Sequence, residues 1–174
     1  MKKILALLIA MALVTALLAG CGDDHQTSSQ ENGDTSTTQG LTDEALGNIF
    51  KEASEIGDAT AGVSLKRANL AAKIASYAAV MNYTTEAEKS LREEMKSKYN
   101  ALDDQGKENL DISFEAAFNM LDTAIIDGDY DSVKGLFEDA GSAENIQTIL
   151  KTPGLRDSYS TFKSAYLSMG NSDK

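Results

Sequence analysis

The chain has 174 residues with 16 basic and 27 acidic side chains, so its formal net charge at pH 7 is −11. Such an acidic surface repels the phosphates of nucleic acids and of anionic lipid headgroups, which argues against both as binding partners of the folded part. The single cysteine excludes an intramolecular disulfide, so the stability of the fold must come from packing.

The first residues have the layout of a secretory leader. Lys2 and Lys3 precede a run from Ile4 to Leu18 that is apolar except for Thr15. The run is shorter than the ~20 residues that a bilayer-spanning helix needs, and small residues follow it. A removable signal peptide over residues 1–20 is therefore favoured over an uncleaved membrane anchor.

The leader ends in Leu18-Ala19-Gly20-Cys21-Gly22, and Cys21 is the only cysteine of the chain. This ending resembles the lipobox of bacterial lipoproteins. The resemblance implies cleavage before Cys21 and a diacylglyceryl group on its sulfur, and two acyl chains are enough for stable anchoring. It also implies a location on the extracytoplasmic face of the cell membrane. Because Gly22 rather than aspartate follows the cysteine, it implies the outer membrane in a host with two membranes.

A polar linker is predicted after the lipidated cysteine, over residues 21–40. The segment 22–40 (GDDHQTSSQENGDTSTTQG) contains no aliphatic or aromatic side chain, so it cannot bury apolar surface. His25, the only histidine, lies in this linker without neighbours to hold a metal or relay a proton. Removal of residues 1–20 takes away two of the 16 basic side chains, so 14 basic and 27 acidic ones leave a mature net charge of −13.

Residues 41–170 are expected to form one all-α domain, a compact bundle of about six or seven helices, with a short tail at 171–174. Thr42 is the predicted N-cap of the first helix, which Gly57 ends. The second helix is predicted over residues 59–82. Its apolar and small side chains occupy most of its sides, which places it in the middle of the bundle.

The third predicted helix begins at a capping box formed by Thr85 and Glu88. One narrow apolar stripe follows, made of Ala87, Leu91, Met95 and Tyr99. The remaining side chains are mostly charged, and several stand at supportive i,i+4 spacings. We therefore expect a peripheral helix with a solvated face.

The fourth helix, predicted from Asp103 or Asp104 to Asp127, has the heaviest apolar face and is expected to be the main core element. Short helices are predicted over 131–139 and 143–151, with Pro153 just beyond the second. The last helix carries a regular apolar stripe: Leu155, Tyr159, Phe162, Tyr166 and Met169.

One acidic segment has the spacing of a metal-binding loop. Asp127, Asp129, Asp131 and Glu138 stand at positions 1, 3, 5 and 12 of residues 127–138, between two predicted helices. This spacing resembles the calcium loop of EF-hand proteins, and the resemblance implies a cation held by carboxylate oxygens.

Two departures weaken the resemblance: Ser132 replaces the glycine at position 6, and Lys134 replaces the apolar residue at position 8. The competing interpretation is a helix–turn–helix corner in which Gly128 ends the fourth helix and Asp129 or Asp131 caps the next. The corner is favoured, so no metal site and no cofactor are assigned.

Catalytic residues are not apparent. From residue 41 onward the chain has neither cysteine nor histidine, which removes zinc ligand sets and Cys/His or Ser/His nucleophile pairs. Carboxylate pairs remain as acid–base candidates, but the sequence singles out none. It therefore predicts a protein that is not an enzyme.

The function that the sequence favours is a lipid-anchored extracytoplasmic module that binds or scaffolds a protein or peptide partner at the cell envelope. The membrane is contacted through Cys21, and the charged third helix and the acidic corner at 127–139 are the expected exposed surfaces. A binding groove would leave an apolar side chain such as Tyr83 or Met120 uncovered. Two alternatives stay open: a calcium-binding helical module that uses residues 127–138, and an acidic inhibitor or immunity-type protein for a basic toxin or hydrolase.

Overall fold

Helices account for most of the chain that the structure describes. The computed structural model describes the backbone of residues 35–81 and 85–169, and the side chains from residue 43 onward except 85 and 86. The predicted leader, Cys21, His25 and the tail lie outside these residues. The described residues belong to one compact unit, Asp34–Lys174.

The described ranges contain seven α-helices and no strand, so the predicted all-α bundle is confirmed. Their bounds are α1 Thr35–Ser54, α2 Val63–Val80, α3 Thr85–Asn100, α4 Asp104–Leu121, α5 Lys134–Asp139, α6 Ala143–Ile149 and α7 Leu155–Met169. A π-helix, Asp122–Ile126, and a 3-10 turn, Tyr130–Ser132, connect α4 to α5.

The first helix begins earlier than its sequence predicts. It starts at Thr35 rather than near Thr42, so it overlaps the last six residues of the segment predicted to be a flexible linker. Once a helix is nucleated, each added residue gains a backbone hydrogen bond, and no proline interrupts residues 35–41. A polar composition therefore does not by itself prevent such a segment from extending a neighbouring helix.

The second helix lies in the middle of the bundle, as predicted. It packs against α1, α4, α5, α6 and α7. Five of its alanines are buried: Ala68, Ala71, Ala72, Ala75 and Ala78. Small side chains let the neighbouring helices approach closely from several directions, which is why a helix with so few large apolar residues occupies the centre.

The third helix is attached by one stripe, also as predicted. It packs mainly against α7 and less extensively against α1. Leu91 and Met95 are buried, and Ala87 and Tyr99 are half-buried at either end of the stripe. Its C-terminal end therefore stands beside α7, where it forms one wall of the groove described below.

The core between α1, α4 and α7 is aromatic. Phe114 of α4 lies 5.3 Å from Phe50 and 4.5 Å from Tyr166, measured between ring centroids. Phe118, one turn further along α4, lies 5.6 Å from Tyr166 and 6.4 Å from Phe162. These offset and edge-on ring pairs fix α7 against α4, so α4 supplies much of the aromatic core.

Two polar side chains of α4 hold the end of α1 in place. Asn109 Nδ2 donates to the carbonyl oxygen of Ser54 at 2.9 Å, and the buried Ser113 Oγ donates to that of Ile56 at 3.1 Å. The Ser54 carbonyl at the end of α1 and the Ile56 carbonyl just beyond it have no partner within the helix, so these bonds satisfy groups that burial would otherwise leave unpaired.

Within the described ranges, none of the helices has the length and apolar character that a membrane span needs.

Candidate functional site

An open groove runs along α7, between α7 and the α4–π-helix segment. At one end, the C-terminal part of α3 closes a cavity of about 620 Å³. A second, more open cavity of about 720 Å³ continues beside the π-helix. Both cavities are lined by Lys163 and Leu167, so we treat them as one feature and call it the α4–α7 groove.

The floor and walls of the groove differ in chemistry. Phe118, Tyr166 and Met169 supply an apolar floor in the first cavity. Polar and charged side chains stand around them: Lys96, Tyr99, Asn100, Asp111, Glu115, Asn119 and Lys163. Leu167 is 54 % exposed, a large fraction for a leucine in a packed helix. The groove therefore combines apolar surface with charge, as ligand-binding clefts commonly do.

Asp111 is the centre of the polar cluster at the α3 end. Tyr99 Oη of α3 donates to Asp111 Oδ2 at 3.0 Å, and Tyr166 Oη of α7 donates to Asp111 Oδ1. The carboxylate thus joins three helices and remains exposed to solvent. Both donors are neutral phenols, so the negative charge of Asp111 is not balanced by them.

Asp122 is the centre of a second cluster, where α4 passes into the π-helix. Tyr159 Oη donates to Asp122 Oδ1 at 2.9 Å and also to the carbonyl oxygen of Phe118 at 3.2 Å. Lys163 forms an ion pair with Asp122 Oδ2, and its ammonium stands 5.7 Å from the centre of the Phe118 ring. Here the charge of the carboxylate is balanced within the protein.

All three tyrosines of these clusters are held protonated. Burial, followed by the hydrogen bond to Asp111 and its charge, raises the pKa of Tyr99 to about 12. Burial and then the same two effects of Asp122 raise the pKa of Tyr159 far above its ordinary value. Burial and Asp111 do the same to the pKa of Tyr166. These phenols act as hydrogen-bond donors, because a phenolate beside a carboxylate is strongly disfavoured.

The π-helix itself contributes to the groove. In it the Asp127 N–H donates to the Asp122 carbonyl at 2.9 Å, a bond that spans five residues. Asp122, Ile126 and Asp127 line the second cavity. Short π-helical segments inside longer helices occur frequently at functional sites, which singles out this end of α4 independently of the cavities.

The acidic corner has the form of a turn rather than of a cation loop. Gly128 has a φ of +73°, and Asp129 accepts hydrogen bonds from the backbone N–H of Ser132 at 3.3 Å and from its hydroxyl. Glu138 pairs with Lys134 at 3.3 Å within α5. Asp129 thus caps the 3-10 turn Tyr130–Ser132, whereas α5 begins after Val133 without a side-chain cap, so the cap predicted for this helix by Asp129 or Asp131 is wrong. Among the described residues, no three or more Asp, Glu, His or Cys side chains are grouped so that they could hold a metal ion.

One pair of carboxyl groups converges outside the groove. Burial, and then the charge of Asp43 on α1, raises the pKa of Glu94 on α3, while Lys98 lowers it. Lys98 Nζ stands 3.3 Å from Glu94 Oε1. These groups line neither of the two cavities and lie where α3 packs against α1.

The groove differs from the surfaces that the sequence singles out. The charged face of α3 is exposed, but only Lys96, Tyr99 and Asn100 at its C-terminal end reach the groove. Met120 packs partly buried against the core, and Tyr83 lies outside the described residues. Tyr99, Tyr159 and Tyr166 stand in the apolar stripes of the third and last predicted helices, and this spacing predicts packing but not the hydrogen bonds of their hydroxyl groups.

Comparison of the chain with protein-family models, with curated proteins and with solved structures gives no match. Only the side chains of the groove therefore indicate what it can bind.

Proposed function

We propose that the chain is a bacterial lipoprotein, held by acyl chains on Cys21 at the extracytoplasmic face of the cell membrane, and that its helical domain is a non-enzymatic binding module for a protein or peptide partner. The carrying observation is the α4–α7 groove, with its apolar floor and the exposed side chain of Leu167. Apolar surface that a monomer leaves uncovered in a cleft rimmed by polar groups is typical of an interaction site.

The polar groups of the groove support binding rather than catalysis. Asp122, Lys163 and Tyr159 satisfy one another, and the pKa of Tyr159 is raised, so no phenolate or free amine is prepared for attack. Asp111 is likewise engaged by two protonated tyrosines. Fixed donors and acceptors on rigid helices suit recognition, which needs geometry but no activated group.

The anchoring is supported by the residues that precede the domain. The sequence Leu18-Ala19-Gly20-Cys21 resembles a lipobox, and the acidic net charge of the protein repels anionic lipid headgroups, so attachment to the membrane calls for an anchor. Mass spectrometry of the purified protein tests this part. We expect an N-terminus at Cys21 that carries acyl chains, and an unmodified sulfur or a retained leader would refute the anchor.

The groove is tested by site-specific photo-crosslinking in the producing bacterium. A photoreactive phenylalanine analogue replaces Leu167 in the full chain, and the matched control carries it at Leu65, which is also an exposed leucine at 40 %. We expect position 167, but not position 65, to yield a discrete adduct with an envelope protein. Equal crosslinking at both positions, or none at 167, would rule out the groove as the binding surface.

A further inference from the structure

The charges along the groove are unequal. Four carboxylates line it, from Asp111, Glu115, Asp122 and Asp127, against the two ammonium groups of Lys96 and Lys163. Lys163 is paired with Asp122. Outside that pair, three carboxylates remain against Lys96, so the groove keeps an excess of negative charge. Two of the three, Asp111 and Glu115, stand four residues apart on α4 and are both exposed at the α3 end, which Lys96 also lines.

The α3 end is built for an organic cation rather than for a metal ion. Tyr99, Tyr166 and Phe118 line the same cavity as the two carboxylates, and the faces of aromatic rings attract ammonium and guanidinium groups. Two of these rings already do so within the protein: Lys107 Nζ stands 5.8 Å from the centre of the Tyr99 ring, and Lys163 Nζ 5.7 Å from that of Phe118. A metal ion of the calcium type needs six or more oxygen ligands, and the described residues offer no such group. A guanidinium or ammonium group needs only one or two carboxylates and a ring face.

The apolar floor of the groove favours a ligand that carries an apolar group as well as a positive charge. Leu167 lines both cavities and is 54 % exposed, and Phe118 and Met169 extend the apolar surface beside it. A small amine would satisfy the carboxylates and leave this surface in water. The groove also extends along α7 from Tyr159 to Met169, about 15 Å at the rise of an α-helix, which matches four or five residues of extended peptide.

We propose that the α4–α7 groove binds a basic segment of a partner protein. One Arg or Lys side chain of that segment lies at Asp111 and Glu115, and a neighbouring apolar side chain covers Leu167. This inference rests on the proposed binding function and adds the chemistry of the partner to it.

The absence of tryptophan from the chain offers a direct assay. The probe is a synthetic peptide, acetyl-Arg-Leu-Trp-Arg-Gly-amide, whose tryptophan fluorescence comes from the peptide alone. We expect its anisotropy to rise and saturate with the full-length protein in detergent. We expect the affinity to weaken about tenfold between 50 and 500 mM salt, because the contact is electrostatic in part.

Peptide controls separate charge from apolar contact. Replacement of both arginines by the neutral isostere citrulline, or of the leucine by serine, should each abolish saturable binding at the same concentrations. Equal binding of the citrulline peptide would overturn the proposal. Full displacement of the probe by equimolar spermidine would also overturn it, since the site would then be one for free amines.

Variants of the protein locate the site. Glu115→Gln should weaken binding about fivefold, and Leu167→Ser about tenfold. Both residues are exposed on the surface of their helices, so neither change threatens the fold. Glu144→Gln on α6 removes a charge outside the groove and should leave the affinity unchanged. Equal losses for Glu144→Gln and Glu115→Gln would reduce the effect to overall charge and overturn the proposal.

The two proposals fail in different ways. If crosslinking from position 167 captures an envelope protein through a segment without Arg or Lys, the binding function stands and the basic partner is wrong. If position 167 captures nothing while the peptide binds with the expected dependence on Glu115, the chemistry of the groove stands and its role at the envelope is wrong.

Discussion

In both clusters of the groove a carboxylate accepts hydrogen bonds from tyrosine hydroxyl groups, but only one cluster also contains a positive charge. Asp122 receives a phenol and an ammonium, whereas Asp111 receives two phenols. Hydrogen bonds from neutral donors orient a carboxylate without cancelling its charge. The Asp122 cluster is therefore a structural joint between the π-helix and α7, whereas the Asp111 cluster keeps a negative charge that a binding partner can contact.

The largest effect should follow the loss of Asp122. Asp122→Ala leaves the half-buried ammonium of Lys163 without its counter-charge and removes one acceptor of Tyr159, so we expect a loss of about 3 kcal/mol in the free energy of unfolding. Asp111→Ala should cost only about 1 kcal/mol, because Asp111 is exposed and its donors are neutral.

Urea denaturation followed by circular dichroism measures both variants. A second change, Lys163→Met, should restore part of the stability in the Asp122→Ala background, since it removes the unpaired charge. If Asp111→Ala proves the more damaging of the two, the division into a structural and a binding cluster is wrong.

Smaller effects should follow the removal of single tyrosine hydroxyl groups. Tyr159→Phe should cost about 1.5 kcal/mol, because that hydroxyl donates to two acceptors, Asp122 and the carbonyl of Phe118. Tyr166→Phe should cost about 1 kcal/mol, and Tyr99→Phe close to nothing, since Tyr99 is only half-buried. The same denaturation experiment ranks them, and a reversed order would contradict the assignment of Asp122 as the structural joint.

The last effect concerns alkaline stability. Because the pKa values of Tyr99, Tyr159 and Tyr166 are raised from 10.0 in the folded protein, the unfolded chain releases these protons first as the pH increases. Their contribution to stability is therefore complete below about pH 10 and declines above it, by about 1.4 kcal/mol per pH unit for each of the buried phenols Tyr159 and Tyr166 and by less for the half-buried Tyr99. The contribution of Tyr99 is lost by about pH 12.

Urea midpoints measured between pH 9 and pH 11.5 test this dependence. The variant that combines Tyr159→Phe with Tyr166→Phe should have a lower midpoint at pH 9 and a shallower decline with pH than the natural protein. An unchanged decline would show that these phenols ionise alike in the folded and the unfolded states.

The elements of the fold follow from local signals in the sequence. The apolar spacing on α4 and α7, the alanines of α2 and the single stripe of α3 each predict a role in packing that the structure confirms. Asp103 accepts a hydrogen bond from the Gly106 N–H at 2.7 Å, close to where the start of the fourth helix is predicted. These features depend on residues within one or two helical turns of one another, so the sequence alone is enough to predict them.

The groove depends on contacts between residues that lie far apart in the sequence, and the residue pattern within one helix does not predict such contacts. Asp111 is joined to Tyr99 and Tyr166, which come from two different helices and lie 12 and 55 residues away in sequence. Helical spacing predicts that both tyrosines face the core, but not that their hydroxyl groups meet one carboxylate. The π-helix could not be predicted from the sequence either, because nothing in residues 122–126 distinguishes it from a further turn of α4.

The π-helix also makes chain length, rather than residue type, a constraint on this region. A turn closed by five-residue hydrogen bonds holds one residue more than an α-helical turn needs. Deletion of Thr123 would remove this surplus and leave the residues beyond it at nearly their present angular positions. A deletion within the regular part of α4 would instead rotate every later residue by about 100° around the helix axis. The tolerance of this part of the chain to a lost residue thus depends on the position of the loss rather than on which amino acid is lost.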